Sequence, residues 1–161
     1  MGQYNTPKPT IEMIYTRYAD MLFRLAYTHL SSQSDAEDAV SDVFVRYMQN
    51  APDFQDQEHE KAWFVRVLIN RCNDLYRKKT VRAYTPLEEV THVEHVDGES
   101  SEVLTAVQQL PEKYRTAVLL HYFEGFSVNE IAKIQNTSAA SVKMRLMRSR
   151  NLLKAHLEGA E

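Results

Sequence analysis

Apolar residues recur at helical spacing along most of this chain, and no stretch alternates convincingly like a β-strand. Ile11, Ile14, Tyr15, Tyr18, Leu22, Leu25 and Ala26 fall three and four apart, so they share one side of a first helix. Ser34 and Glu37 have capping-box spacing and mark the start of a second. Its core face carries Ala39, Val40, Val43, Phe44, Tyr47 and Met48, while Asp38, Ser41, Asp42 and Val45 lie outside that stripe. A polar loop covers 52–60. The next predicted helix, about 60–79, is apolar on most sides through Trp63, Phe64, Val67, Leu68, Ile69, Cys72, Leu75 and Tyr76. It closes on Arg77-Lys78-Lys79, cations that suit the negative end of a helix dipole.

The strongest local signal lies in 127–153. Ser127 and Glu130 form a second S-x-x-E box, and Ile131 and Ile134 give the short helix an apolar side. Asn136 suits the left-handed stop after it, and Ser138 can cap the following helix. On that last helix Val142, Leu146, Ser149 and Leu153 face one way. Ala140, Met144, Met147 and Arg148 face the other, with Lys143 and Arg145 on the flanks. Residues 138–154 contain five cations and no acid. Two capped helices across a tight turn, the second one basic, form a helix-turn-helix suited to the DNA major groove. An ordinary solvated surface helix is the plainer alternative.

Composition then narrows the class. A chain of 161 residues with four glycines and five prolines accommodates one domain or two small ones, nearly all helix. The single cysteine rules out an intrachain disulfide framework, and the polar first ten residues hold no signal-peptide core. No apolar run reaches membrane-spanning length, so the expectation is a soluble cytoplasmic protein without direct membrane insertion. The net charge of −3 looks wrong for a DNA binder until it is divided along the chain. Residues 1–79 carry −1, 80–102 carry −5 and 103–161 carry +3. The acidic middle segment also holds Thr85-Pro86 and Asp97-Gly98, which break regular structure. It reads as a flexible linker over 80–101 between two small helical domains, 10–79 and 102–158. Enzyme readings find no support: there is no Gly-rich phosphate loop, and the six histidines show no zinc-protease spacing. His92 and His95 read as solvated linker residues rather than a metal pair, and no cofactor is expected.

Three stretches, in order, resemble one family: DAEDAVSDVFVRYMQ at 35–49, AWFVRVLINRCNDLYRKK at 62–79, and LPEKYRTAVLLHYFEGFSVNEIA at 110–132 running on into SAASVKMRLMRSRNLLK at 138–154. The chain resembles the extracytoplasmic-function subfamily of bacterial sigma-70-type sigma factors. That resemblance implies a non-enzymatic protein that binds core RNA polymerase and directs promoter-specific initiation. The N-terminal domain would bind the polymerase clamp and read the minus-10 element, and the C-terminal domain would read the minus-35 element.

Residue roles follow from the matching positions. Asp38, Ser41, Asp42 and Val45 would face the polymerase. The family often has Gln-Glu where this chain has Ser41-Asp42, which keeps the acid but shortens it. The loop 54–61 matches the segment that captures a flipped base, and Asn70, Asn73, Arg77 and Lys78 match the DNA-facing side of the next helix. Ser127, Asn129, Ala140, Lys143, Met144, Arg145, Met147 and Arg148 would meet the minus-35 duplex, with Met144 and Met147 either on thymine methyls or under another helix. Partners implied are core polymerase, promoter DNA and, as in many relatives, an anti-sigma factor. The alternatives are a sigma-like interaction protein that confers no promoter selectivity, and a two-domain helix-turn-helix regulator.

Overall fold

The computed structural model describes residues 8–82 and 100–159. All regular structure among them is helical, as the apolar periodicity predicts. The elements are α1 (Ile11–Leu30), α2 (Gln33–Asn50), α3 (Gln57–Arg82), α4 (Ser100–Gln108), α5 (Glu112–Val118), α6 (Val128–Gln135) and α7 (Ala139–Gly159), with a π turn at Leu119–Phe123 extending α5. The acidic segment, including His92 and His95, lies almost wholly outside the described residues.

Helices α1 to α3 pack as an antiparallel bundle. Thr10 caps α1 by accepting the Met13 N–H at 3.2 Å. Ser31 ends it in the left-handed region at φ 55°, and the neighbouring Ser32 begins α2 by accepting the Asp35 N–H at 3.2 Å. The start of α2 therefore differs from the Ser34 box. Both serines can cap, but only Ser32 follows directly on the sharp α1 stop. The core is built on Ile14, Leu22, Leu25, Val43, Phe64 and Leu68. Around Phe64, the rings of Tyr18, Trp63, Tyr47 and Phe44 lie 4.6 to 5.7 Å away. Tyr15 and Met48, expected in the stripes, are 56% and 61% exposed, because each sits at the edge of a stripe wider than the contact it makes.

Helix α3 starts three residues earlier than its apolar pattern suggests. Asp56 supplies the N-terminal acceptor, its carboxylate taking the His59 N–H at 2.8 Å. The extra turn brings Glu60 onto the buried side with Phe64 and Leu68. There its Oε1 accepts from Tyr18 Oη at 2.6 Å and Arg17 Nη1 at 2.8 Å.

Helices α4 to α7 enclose Leu104, Val107, Leu119, Leu120, Ile131, Val142 and Leu146. The two blocks do not stand apart. Helix α3 packs on α6, and the buried apolar side chains run continuously from one block into the other.

Candidate nucleic-acid interface

The helix-turn-helix forms from interactions spanning three or four residues. Ser127 Oγ accepts the Glu130 N–H at 3.1 Å, and Glu130 Oε1 accepts the Ser127 N–H at 2.9 Å. That backbone hydrogen bond holds the Glu130 carboxyl below its usual range, against the opposing effect of burial. Asn136 turns left-handed at φ 54°, a conformation its short polar side chain tolerates. Ser138 Oγ then accepts the Ser141 N–H at 3.1 Å and opens α7. Val142, Leu146 and Ser149 are buried on the inner side, as the periodicity requires.

The outer side of α7 presents Ala140, Lys143, Met144, Met147 and Arg148 to solvent. Met144 and Met147 are each 44% exposed, so no other described helix covers them. Arg148 makes one long contact, 3.4 Å to the Tyr114 hydroxyl, and this lowers the Tyr114 pKa. Arg145 is different. It is half-buried and donates to Gln135 Oε1 at 2.9 Å, while Gln135 donates to Lys113 O at 3.1 Å. That relay braces α7 to α6 and α5. Ser127 and Asn129 are exposed at the start of α6, although the Ser127 N–H is committed to the capping box.

The second candidate face lies on α3. Asn70, Asn73 and Arg77 line a cleft of about 440 Å³ whose far wall is Lys113, Gln135 and Arg145. Two of them are already engaged across it. Asn73 Oδ1 accepts from Arg115 Nη2 at 3.3 Å, and Arg77 Nη2 meets both oxygens of Glu112 at 2.7 and 3.0 Å. Lys78 is exposed. Upstream, Phe54 stands edge-on to His59 and Trp63 at 5.4 and 5.8 Å. The Gln55 N–H donates to His59 Nδ1 at 3.1 Å, a bond that needs that nitrogen unprotonated.

On α2, Asp38, Ser41 and Val45 are exposed. Asp42 is half-exposed and forms an ion pair with Arg71 Nε at 2.5 Å, tying α2 to α3. The sequence reading missed Arg71, Glu60, Arg66 and Arg115 as organising residues. Glu60 and Arg115 carried a signal, since each falls on an apolar helical stripe, four residues before Phe64 and Leu119 respectively.

Comparison with known proteins decides what this arrangement belongs to. Residues 14–82 match the sigma-70 region 2 family, and residues 100–153 match sigma-70 region 4. The extracytoplasmic-function RNA polymerase sigma factor SigW of Bacillus subtilis is 31% identical over 159 residues, covering 87% of this chain and 84% of SigW. The chain belongs to the extracytoplasmic-function sigma factors. RNA polymerase sigma factor SigV of the same organism is 26% identical over 160 residues, covering 98% of this chain and 96% of SigV. The fold is shared with CnrH, solved with the cytosolic domain of CnrY, at a TM-score of 0.70 and 24% identity over 94% of this chain and 89% of that one. It is shared also with RpoE of Bartonella quintana, solved with the anti-sigma factor NepR, at a TM-score of 0.69 and 22% identity over 91% and 96% of the two chains. Sigma factors are non-catalytic regulators of transcription, and no described helix of this one is long and apolar enough to cross a membrane.

Proposed function

We propose that this sigma factor binds core RNA polymerase through α2, reads the minus-10 element through α3 and its preceding loop, and reads the minus-35 element through α7. The observation that carries this reading is the pairing of an intact, basic helix-turn-helix with a region 2 bundle in one chain. A plain helix-turn-helix regulator has no need of the second part. Lys143 and Arg148 supply cations on the exposed side of α7, where Arg148 can bridge guanine edges and Lys143 a phosphate. Arg145 combines a phosphate contact with its brace to Gln135. Asn70 and Asn73 carry amides able to read exposed base edges, with Arg77 and Lys78 holding the strand. The Phe54–His59–Trp63 cluster offers aromatic surface for an unstacked base, which offsets the few kcal/mol that unstacking costs. Asp38, Ser41, Asp42 and Val45 form the polymerase-facing side of α2.

Transcription places the working location in the cytoplasm. An anti-sigma factor is a further partner, a reading supported by the fold neighbour RpoE having been solved with the anti-sigma factor NepR. The test is multi-round transcription with purified core polymerase on genomic DNA, followed by sequencing of transcript ends. Shared minus-10 and minus-35 elements upstream of new start sites are expected. Transcript ends no different from those of core alone would remove the sigma reading in favour of an interaction protein.

A further inference from the structure

Two helices of this chain open on reciprocal side-chain caps, but only one of these caps depends on an imidazole. At the start of α6 the Glu130 N–H donates to the Ser127 hydroxyl, and the Ser127 N–H donates to the Glu130 carboxylate. At the start of α3, Asp56 precedes the first helical residue, and its carboxylate takes the N–H of His59 at 2.8 Å. The return bond ends on the His59 ring, whose Nδ1 accepts the Gln55 N–H at 3.1 Å. This is a capping box moved back by one residue, with a histidine ring in the place of the usual Glu or Gln side chain. A carboxylate keeps its acceptor down to about pH 4, whereas an imidazole changes charge between about pH 5 and 8.

The α3 cap lies on the loop proposed above to capture a base. Gln55 follows Phe54 directly, so the bond from Gln55 to His59 fixes the backbone beside that ring. Phe54 is half-buried and meets His59 edge-on, at 88° and 5.4 Å, with Trp63 at 5.8 Å. Trp63 is anchored in the bundle by Phe64 at 5.0 Å and Tyr47 at 6.3 Å. Phe54 has no such anchor: among the described residues its ring contacts are His59 and Trp63. The position of Phe54 against Trp63 therefore depends on how the loop is tied to the first turn of α3, and His59 supplies that tie from both its backbone and its ring.

We infer that His59 is a positioning residue for base capture: its neutral ring ties down the loop and sets Phe54 against Trp63 for the unstacked base, and a proton on Nδ1 releases the loop. This role rests on the functional reading of the loop given above. A protonated imidazole is a donor at both nitrogens and cannot accept from Gln55. Two N–H groups would then face each other, and the loop must move. A cation at the same place also attracts DNA phosphate, an effect of opposite sign. The direction of the pH response separates the two: release weakens capture as pH falls, and charge attraction strengthens it. Around the ring, Asp53, Asp56 and Glu58 are exposed on the loop and the first turn of α3. Glu60 is turned inward to Tyr18 and Arg17, and Lys61 lies over the Phe126 ring.

Two substitutions separate the acceptor from the ring. His59→Asn keeps an acceptor, Oδ1, at the same branch of the side chain as Nδ1 and carries no titrating group. His59→Phe keeps a ring and has no acceptor. Each full-length chain is assembled with core polymerase and titrated against fluorescein-labelled fork-junction DNA carrying the minus-10 element of the mapped start sites. An abasic position walked through the exposed strand first locates the captured base. All other residues are common to the three chains, so differences between them isolate position 59. At pH 8, wild type and His59→Asn should bind more tightly than His59→Phe by roughly fivefold, about what one hydrogen bond contributes. At pH 5.5, wild type should fall to the level of His59→Phe while His59→Asn keeps its margin. On the fork abasic at the captured base, the three should bind alike at either pH. Circular dichroism and holoenzyme yield confirm that each chain folds and assembles. A wild type that keeps or widens its margin at pH 5.5 would overturn the role of His59 while the sigma assignment stands. So would a His59→Asn no better than His59→Phe, or a His59→Phe deficit that persists on the abasic fork. If wild-type holoenzyme starts no promoter-specific transcripts, the functional reading of the loop falls, and the role of His59 with it.

Discussion

Replacing His29 with leucine should flatten the acid side of this protein's stability curve. His29 lies in the last turn of α1, fully buried, and neither ring nitrogen has a hydrogen-bond partner among the described residues. Burial is the main cause that drives its pKa from 6.5 down to about 3, and the nearby Arg115 cation adds to it. The folded pKa thus lies below the unfolded one. Above pH 6.5 both states hold a neutral ring and the residue makes no pH-dependent contribution. As pH falls below 6.5 the unfolded chain takes up a proton that the folded chain refuses, and stability declines until pH reaches about 3. The slope approaches about 1.4 kcal/mol per pH unit, which integrates to about 2 kcal/mol lost by pH 5. That is a large share of a typical domain's 5–15 kcal/mol. Leucine has similar bulk and leaves no polar atom unpaired, so it should be neutral or stabilising at pH 7.5. Urea unfolding at pH 7.5, 6.5, 5.5 and 5.0, read by far-ultraviolet circular dichroism, measures both chains. Every other residue is common to the two chains, so the difference between the curves isolates position 29. Wild type should lose about 2 kcal/mol more than His29→Leu between pH 7.5 and 5. Parallel curves would show that the ring takes up its proton in the folded state, and the burial argument would fail.

Two other outcomes concern the binding faces. Lys143→Ala and Arg148→Ala should each lower the salt slope of minus-35 duplex binding by about 0.9 while leaving core polymerase affinity unchanged; loss of polymerase binding would move α7 off the DNA. Asp38→Lys should impair holoenzyme assembly at constant melting temperature. Asp42→Lys should do so and also lower the melting temperature by a few degrees, because it breaks an ion pair with Arg71 worth up to about 1 kcal/mol. Identical melting behaviour of the two would mean the Arg71 contact contributes nothing.

The sequence alone determined the helical class and the helix-turn-helix, because the interactions that make them are short in range. Ser127 reaches Glu130, Ser138 reaches Ser141, and Asn136 needs only its own backbone freedom. Stripes three and four apart likewise identify Val142 and Leu146 as core before any partner is known. Where two local solutions competed, packing chose between them: Ser32 caps α2 rather than Ser34, and α3 starts at Gln57 with Glu60 turned inward. Position on an apolar stripe hints that Glu60 and Arg115 turn inward, but tertiary structure decided which polar residues are buried and what they meet. Arg115, His29 and Glu60 look like surface residues by type, and only neighbours 5 to 43 positions away supply their contacts or withhold them. The packing of region 4 against Asn73 and Arg77 was illegible for the same reason. It depends on side chains meeting backbone carbonyls up to 80 residues distant, and periodicity carries no information about such pairings.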